Sequence, residues 1–128
     1  MIRVNFLADI DKRRLQLKVT GHAGTAPAGH DIVCSAASML AYTLAQEVKF
    51  AEERGVTTGR TVSKVTQGNS NITVRLKDGW AYAEMLVVFR TIQTGYLLLS
   101  HNYPDIVMLE TPLMYDHAEP SEEEASVE

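Results

Sequence analysis

The amino-acid sequence predicts an α+β fold, a mixed β-sheet with two helices packed on one face, in the order ββαββαβ. Two observations lead to this prediction. Segments with strand-like alternation come in pairs, and each pair is followed by a long segment in which apolar residues recur at helical spacing. A short apolar run then ends the ordered body. Because hairpins and helices are interspersed, both helices are expected on one sheet face, and a doubly wound sheet fits poorly.

The first pair of strands is predicted to be an antiparallel hairpin. Apolar and polar residues alternate over residues 2–6 and again over residues 14–20, a pattern typical of half-buried strands. Asp9, Asp11 and Lys12 lie between the two runs and are residue types that favour turns. A tight connection between neighbouring strands is therefore the simplest topology.

The first helix is predicted to follow an irregular loop. Three glycines and a proline interrupt the periodicity between Gly21 and Asp31, and Asp31 is a residue type that caps helices well. Helical spacing then continues until Glu53, with Gly55 just beyond. The apolar residues at that spacing are Val33, Ala37, Leu40, Leu44, Val48 and Ala51.

The second half of the chain repeats this arrangement. Strands are predicted at Val62–Thr66 and Ile72–Leu76, with a turn formed by Gly68–Asn71. Asp78-Gly79 marks a break after these strands. A second helix is then expected to end at Asn102, and a last strand is expected at Ile106–Leu109. The apolar residues that define this helix are Met85, Val88, Ile92, Tyr96 and Leu99. The helix is apolar over more than one stripe, so we expect one face on the sheet and another against a partner subunit.

The composition of the chain predicts one cytoplasmic domain followed by an acidic tail. A chain of 128 residues with 45% hydrophobic residues and one cysteine can bury a core without a disulfide, and it contains no membrane-length apolar run. Five glutamates lie in the last ten residues, so without them the formal net charge of -4 becomes +1. We therefore expect a domain over residues 1–114, a disordered tail over 115–128, and no direct nucleic-acid or membrane binding.

Reactive residue types crowd together only around the predicted start of the first helix. Cys34 is expected in the first turn, where free amides and the helix dipole favour a thiolate. His22, across the loop, could serve as its base and acid. Asp31 could cap the helix or orient His22, and Ser38 could donate a hydrogen bond or bond back to the Cys34 carbonyl. The amides of Val33 and Cys34 are candidates for an oxyanion hole.

Less specific interpretations fit the same residues. A lone cysteine on a helix is commonly a small hydrophobic residue, and Asp31 can be a helix cap only. His22, His30, Asp31 and Cys34 could together hold a metal ion, but their spacing matches no strong zinc signature. The glycine-rich loop lacks the Gly-Lys-Ser/Thr ending of a phosphate-binding loop. The sequence thus predicts neither a metal nor a cofactor.

One motif joins two stretches of the sequence: Gly21-His22-Ala23, and then Gly29-His30-Asp31-Ile32-Val33-Cys34 followed by Ser38. This motif resembles the signature of the ribosomal-processing cysteine protease family, Prp. The resemblance extends over the whole domain and leaves only the tail outside. It implies that Cys34 is the nucleophile and His22 its partner. Asp31 and Ser38 match further motif positions. It also implies a mobile loop that includes Ala23, Gly24 and Gly29 and gates the active site.

The resemblance implies a substrate and a quaternary structure as well. Family members remove an N-terminal extension from bacterial large-subunit ribosomal protein L27, with an apolar, aromatic-containing sequence just before the cleaved bond, and they are homodimers. Two other classes stay open. A non-catalytic ribosome-assembly or protein-binding module would keep its function after Cys34 is alkylated. A thiol redox sensor would oxidise Cys34 reversibly, but the chain has no second cysteine to resolve the oxidised form.

Overall fold

The α+β class and the order ββαββαβ are confirmed in a computed structural model of the chain. The structure describes residues 1–22 and 30–114, apart from the side chains of His30 and Asp31. Its elements are β1 (Ile2–Asp9), β2 (Arg14–Thr20), α1 (His30–Glu53), β3 (Val62–Lys64), β4 (Asn69–Arg75), α2 (Gly79–Asn102) and β5 (Val107–Leu109). The tail predicted over residues 115–128 lies outside the described residues.

The five strands form one mixed sheet in the order β3-β4-β2-β1-β5. The first hairpin is antiparallel as predicted, β2 also pairs antiparallel with β4, and β5 runs parallel to β1. Phe6 pairs with Leu17, which in turn pairs with Ile72, and all three side chains are buried. One face of the sheet therefore carries a continuous apolar surface, as the alternation in the sequence predicts.

Both helices cover that apolar face. Tyr96 of α2 is fully buried, and its hydroxyl donates a hydrogen bond of 2.7 Å to the carbonyl of Ala37 in α1. Its ring also meets Phe6 of β1 edge to face, with centroids 6.0 Å apart. The helices approach closely at Gly95, where a Cβ would lie 2.6 Å from Leu40. The opposite sheet face is polar, and there the Gln16 side chain donates to Thr73 over 2.9 Å.

Several predicted boundaries are wrong. Helix α1 begins at His30, so Asp31 lies within its first turn and does not precede it. The second hairpin turns earlier than predicted, because β3 ends at Lys64 and Asn69–Asn71 already belong to β4. The Asp78-Gly79 break is the beginning of α2, where the Asp78 carboxylate accepts a bond of 2.8 Å from the amide of Ala81.

The predicted buried stripes are correct at most positions. Leu40 of α1 and Val88 and Leu99 of α2 are only half-buried, whereas the other apolar residues predicted for the two helices are buried. The buried face of α2 also contains a polar residue, Gln93, which is fully buried. Its side chain donates to the Pro112 carbonyl over 2.9 Å and accepts from the Met114 amide over 2.7 Å. These two hydrogen bonds attach the C-terminal segment to α2.

Candidate active site

Cys34 and His22 line the same small cleft. The cleft lies where three parts of the fold meet: the end of β2, the start of α1 and the turn between β3 and β4. Its volume is about 30 Å³, room for a water molecule. The residues that line it are Ile2, Val19, Gly21, His22, Cys34, Ala37, Ser38, Ala41, Thr66, Gln67, Gly68 and Ser70.

Cys34 is a free cysteine at the edge of the buried face of α1, and its side chain is half-buried, as its place on the predicted helix indicates. The helix begins at His30, so Cys34 opens the second turn and is not in the first turn as predicted. In a regular α-helix that begins at His30, the Cys34 amide donates a hydrogen bond to the His30 carbonyl. Amides earlier in the first turn lack a partner within such a helix, and the oxyanion role of the Val33 and Cys34 amides stays a prediction.

The helix near Cys34 is held firmly in place. Ala37, one turn further along and also in the cleft wall, accepts the hydrogen bond from the buried Tyr96 hydroxyl. Burial raises the pKa of Tyr96 far above its ordinary value, so this donor stays protonated at neutral pH. The cysteine thus stands on a helix whose inner face is fixed to α2.

His22 follows the end of β2 and its side chain is exposed. Its backbone is nevertheless fixed on both sides. The ammonium group of Met1 donates a bond of 2.6 Å to the His22 carbonyl, and the Gly21 amide donates a bond of 3.0 Å to the Gly68 carbonyl. Gly21 has φ +91°, and a Cβ there would lie 2.1 Å from the Met1 carbonyl oxygen, so only glycine allows this close approach.

Of the two supporting residues predicted, the structure brings Ser38 to the cleft. The back-bond from Ser38 to the Cys34 carbonyl is absent from the hydrogen bonds among the described residues, although Thr43 makes such a bond of 2.7 Å to Met39. Asp31 lies in the first turn of the same helix, and its side chain is outside what the structure describes.

One wall of the cleft, the turn between β3 and β4, could not be assigned from the sequence. Ser70 is 5% exposed; its hydroxyl accepts from the Thr66 amide over 3.3 Å and donates to the Thr66 carbonyl over 3.2 Å. The Thr66 hydroxyl donates to the Asn69 carbonyl. Turn composition was visible in the sequence, but only the strand order places this turn beside His22. That order, β4 next to β2, has no sequence signature.

The predicted gating-loop residues Ala23, Gly24 and Gly29 lie outside the described residues, so their role stays a prediction. Within residues 1–22 and 30–114 no group of three or more His, Cys, Asp or Glu side chains could hold a metal ion. No helix in that same part of the chain is long and apolar enough to cross a membrane.

A sequence model of the cysteine protease Prp family matches residues 1–108. The chain belongs to this family. The match covers every element from β1 to the centre of β5, including the cleft, and the resemblance inferred from the motif around His22 and Cys34 is confirmed. No curated protein matches the chain.

Solved structures of two proteins, one of them a Prp protease, have the same fold. SMU.848 from Streptococcus mutans is 27% identical, with a TM-score of 0.58, over 85% of this chain and 91% of that one. The ribosomal processing protease Prp from S. aureus in complex with a substrate peptide is 20% identical, with a TM-score of 0.60, over 86% and 98% of the two chains. The same protease with a covalently linked product peptide is 19% identical, with a TM-score of 0.61, over 85% of this chain and 97% of that one.

Proposed function

We propose that this protein is a cysteine endopeptidase in which Cys34 is the nucleophile and His22 its proton-transfer partner. One observation supports this above all: the two side chains, separated by a loop in the sequence, line one cleft. Cys34 is half-buried and His22 exposed, so a substrate can reach both. A nucleophile and a base brought to one site by different elements are what thiol proteolysis requires.

The chemistry follows in two stages. The Cys34 thiolate attacks the scissile carbonyl carbon and forms a C–S bond, while the carbonyl oxygen becomes an oxyanion. The C–N bond then breaks as His22 delivers a proton to the leaving amine, which leaves a thioester on Cys34. Water, deprotonated by His22, attacks the thioester and releases the new carboxylate and the thiolate.

The start of α1 supports the charged species in these steps. The positive end of the helix dipole and the free amides before Cys34 favour both a thiolate and an oxyanion beside the helix. Ser38 lines the cleft one turn after Cys34 and could donate its hydroxyl to the sulfur or the oxyanion. Asp31, in the first turn, could orient His22, although its negative charge opposes the thiolate unless His22 is protonated.

We further propose that the substrate is the precursor of ribosomal protein L27, whose N-terminal extension is removed during ribosome maturation. The family membership supports a peptide substrate, and the S. aureus relative with this fold is a ribosomal processing protease that binds one. No cofactor takes part in these steps.

The same family resemblance implies a homodimer, and the outer face of α2 supports this proposal. Trp80, Val87 and Leu98 lie on the side of the helix away from the sheet and are 88%, 42% and 57% exposed. Apolar side chains aligned on one helix face are typical of surfaces that bind another protein.

Mass spectrometry of the L27 precursor after incubation with the protein tests the proposal. We expect one N-terminal cut by the wild-type protein and none by Cys34→Ala or His22→Ala, because each variant lacks one half of the dyad. Ser35→Ala is the matched control, since Ser35 is the exposed neighbour of Cys34 on the same helix. This variant should cut at the wild-type rate.

Either of two results would contradict the proposal. Cleavage retained by folded Cys34→Ala or His22→Ala would exclude that residue from the chemistry. If the folded wild-type protein does not cut the precursor but binds it equally well before and after alkylation of Cys34, the protein is a non-catalytic binding module.

A further inference from the structure

The turn between β3 and β4 presents a rigid backbone to the catalytic cleft. Ser70 and Thr66 cross-link it through three hydrogen bonds that involve their hydroxyl groups and the backbone of residues 66 and 69. The Asn69 amide adds a bond of 3.2 Å to the Thr66 carbonyl. Gly68 lies inside this closed turn, so its position is fixed by its neighbours on both sides.

Gly68 also touches the segment that carries His22. Its carbonyl accepts the Gly21 amide over 3.0 Å, which fixes the turn to the residue just before His22. Its φ of +84° lies in the left-handed region, which glycine adopts without cost. This hydrogen bond therefore joins the turn to the end of β2 beside the cleft.

The His22 ring occupies the space that a side chain at residue 68 would need. A Cβ built on Gly68 would lie 2.4 Å from Cε1, 2.6 Å from Nε2 and 3.2 Å from Nδ1 of His22. These distances are shorter than van der Waals contact, so the ring rests directly against the glycine backbone. An exposed imidazole without such a wall would sample several rotamers.

We propose that Gly68 is a positioning residue that holds the His22 imidazole in place toward Cys34. The inference rests on the proposed function, since it assigns a purpose to the orientation of His22. Any side chain at residue 68 would displace the ring. Because the ring is the end of an exposed side chain, it would yield while the turn keeps its fold. The catalytic pair would be misaligned in a protein that is otherwise intact.

The test compares Gly68→Ala with Gly59→Ala. Gly59 also has a positive φ, +69°, but a Cβ there would meet nothing within 4 Å, so the two variants share the backbone strain and differ in the contact with His22. We expect similar losses in the urea midpoint for both. Only Gly68→Ala should lose kcat on the precursor, by about 100-fold, with KM little changed.

A second readout does not depend on turnover. The rate at which iodoacetamide alkylates Cys34, followed against pH, reports how His22 influences the thiolate. We expect Gly59→Ala to keep the wild-type profile and Gly68→Ala to show the profile of His22→Ala. Gly68→Asn, which tolerates a positive φ better and still places a Cβ against the ring, should behave as Gly68→Ala does, and replaces it if the alanine variant does not fold.

The outcomes separate the two proposals. If His22→Ala is inactive but the Gly68 variants match Gly59→Ala in kcat and in alkylation profile, the positioning role is wrong and the dyad stands. If His22→Ala keeps full activity, the dyad is wrong and the positioning role falls with it.

Discussion

Tyr96 illustrates how a single buried residue stabilises the helix that carries Cys34. Its hydroxyl donates to the Ala37 carbonyl, and burial raises its pKa above the ordinary value of 10.0. The folded protein therefore holds the phenol proton more tightly than the unfolded chain does. The corresponding stability is fully present below about pH 10 and decreases as the pH rises above it, because the unfolded chain then gains from ionisation.

Tyr96→Phe should consequently have two effects. At neutral pH the free energy of unfolding should fall by about 1 kcal/mol, the typical value of one buried hydrogen bond. Between about pH 9 and pH 11 the variant should lose less stability than the wild-type protein, since it lacks the ionisable group. Urea unfolding at several pH values measures both. An equal pH dependence in the two proteins would show that Tyr96 ionises alike in the folded and unfolded states.

At the same scale, the sequence predicts the reactive side chains of the cleft but not its whole lining. Cys34, His22 and Ser38 belong to one motif of local spacing, and the structure brings all three to the cleft. Gly68 and Ser70 could not be assigned in this way. They reach the site because β4 pairs with β2, a contact between distant segments that local periodicity does not encode.

At the scale of elements, α2 has two apolar faces with different surroundings. Its inner face packs on the sheet, whereas Val87 and Leu98 are exposed on the outer face. If a second copy covers this face, Val87→Glu with Leu98→Glu should convert a dimer to a monomer, because two buried carboxylates would face the partner. Sedimentation velocity measures the change. Leu7→Glu is the control, since Leu7 is 46% exposed on the opposite side of the sheet.

A wild-type protein that sediments as a monomer at all concentrations would contradict the homodimer. A dimer that Leu7→Glu disrupts, and the α2 variant does not, would instead place the interface on the open face of the sheet.

Element types were predictable because each has its own period, yet element ends were not. Alternation identified β1 and β2 and helical spacing identified α1 and α2, since one face of each is buried. The ends depend on capping and pairing. Asp78 was interpreted as a break although it caps α2, and Asn69–Asn71 have turn-forming side chains although pairing with β2 makes them strand.

At the scale of the whole molecule, the C-terminal segment is part of the core up to Met114. Met114 is 8% exposed, and its amide donates to the fully buried Gln93, whose side chain also donates to the Pro112 carbonyl. Beyond it, residues 115–128 are rich in glutamate and poor in apolar residues. The domain boundary predicted at residue 114 stays a prediction, because the residues after it lie outside the described part of the chain.

Two truncated chains test this boundary. A chain of residues 1–114 should keep the unfolding free energy and the cleavage rate of the full chain, because every described core contact is present. A chain of residues 1–111 removes both partners of Gln93 and leaves a buried amide unpaired, at a cost of about 1–3 kcal/mol. Urea unfolding of both chains beside the full protein gives the comparison. Equal stability of the two truncated chains would show that the Gln93 contacts add nothing, and a loss already present at 114 would extend the domain into the acidic segment.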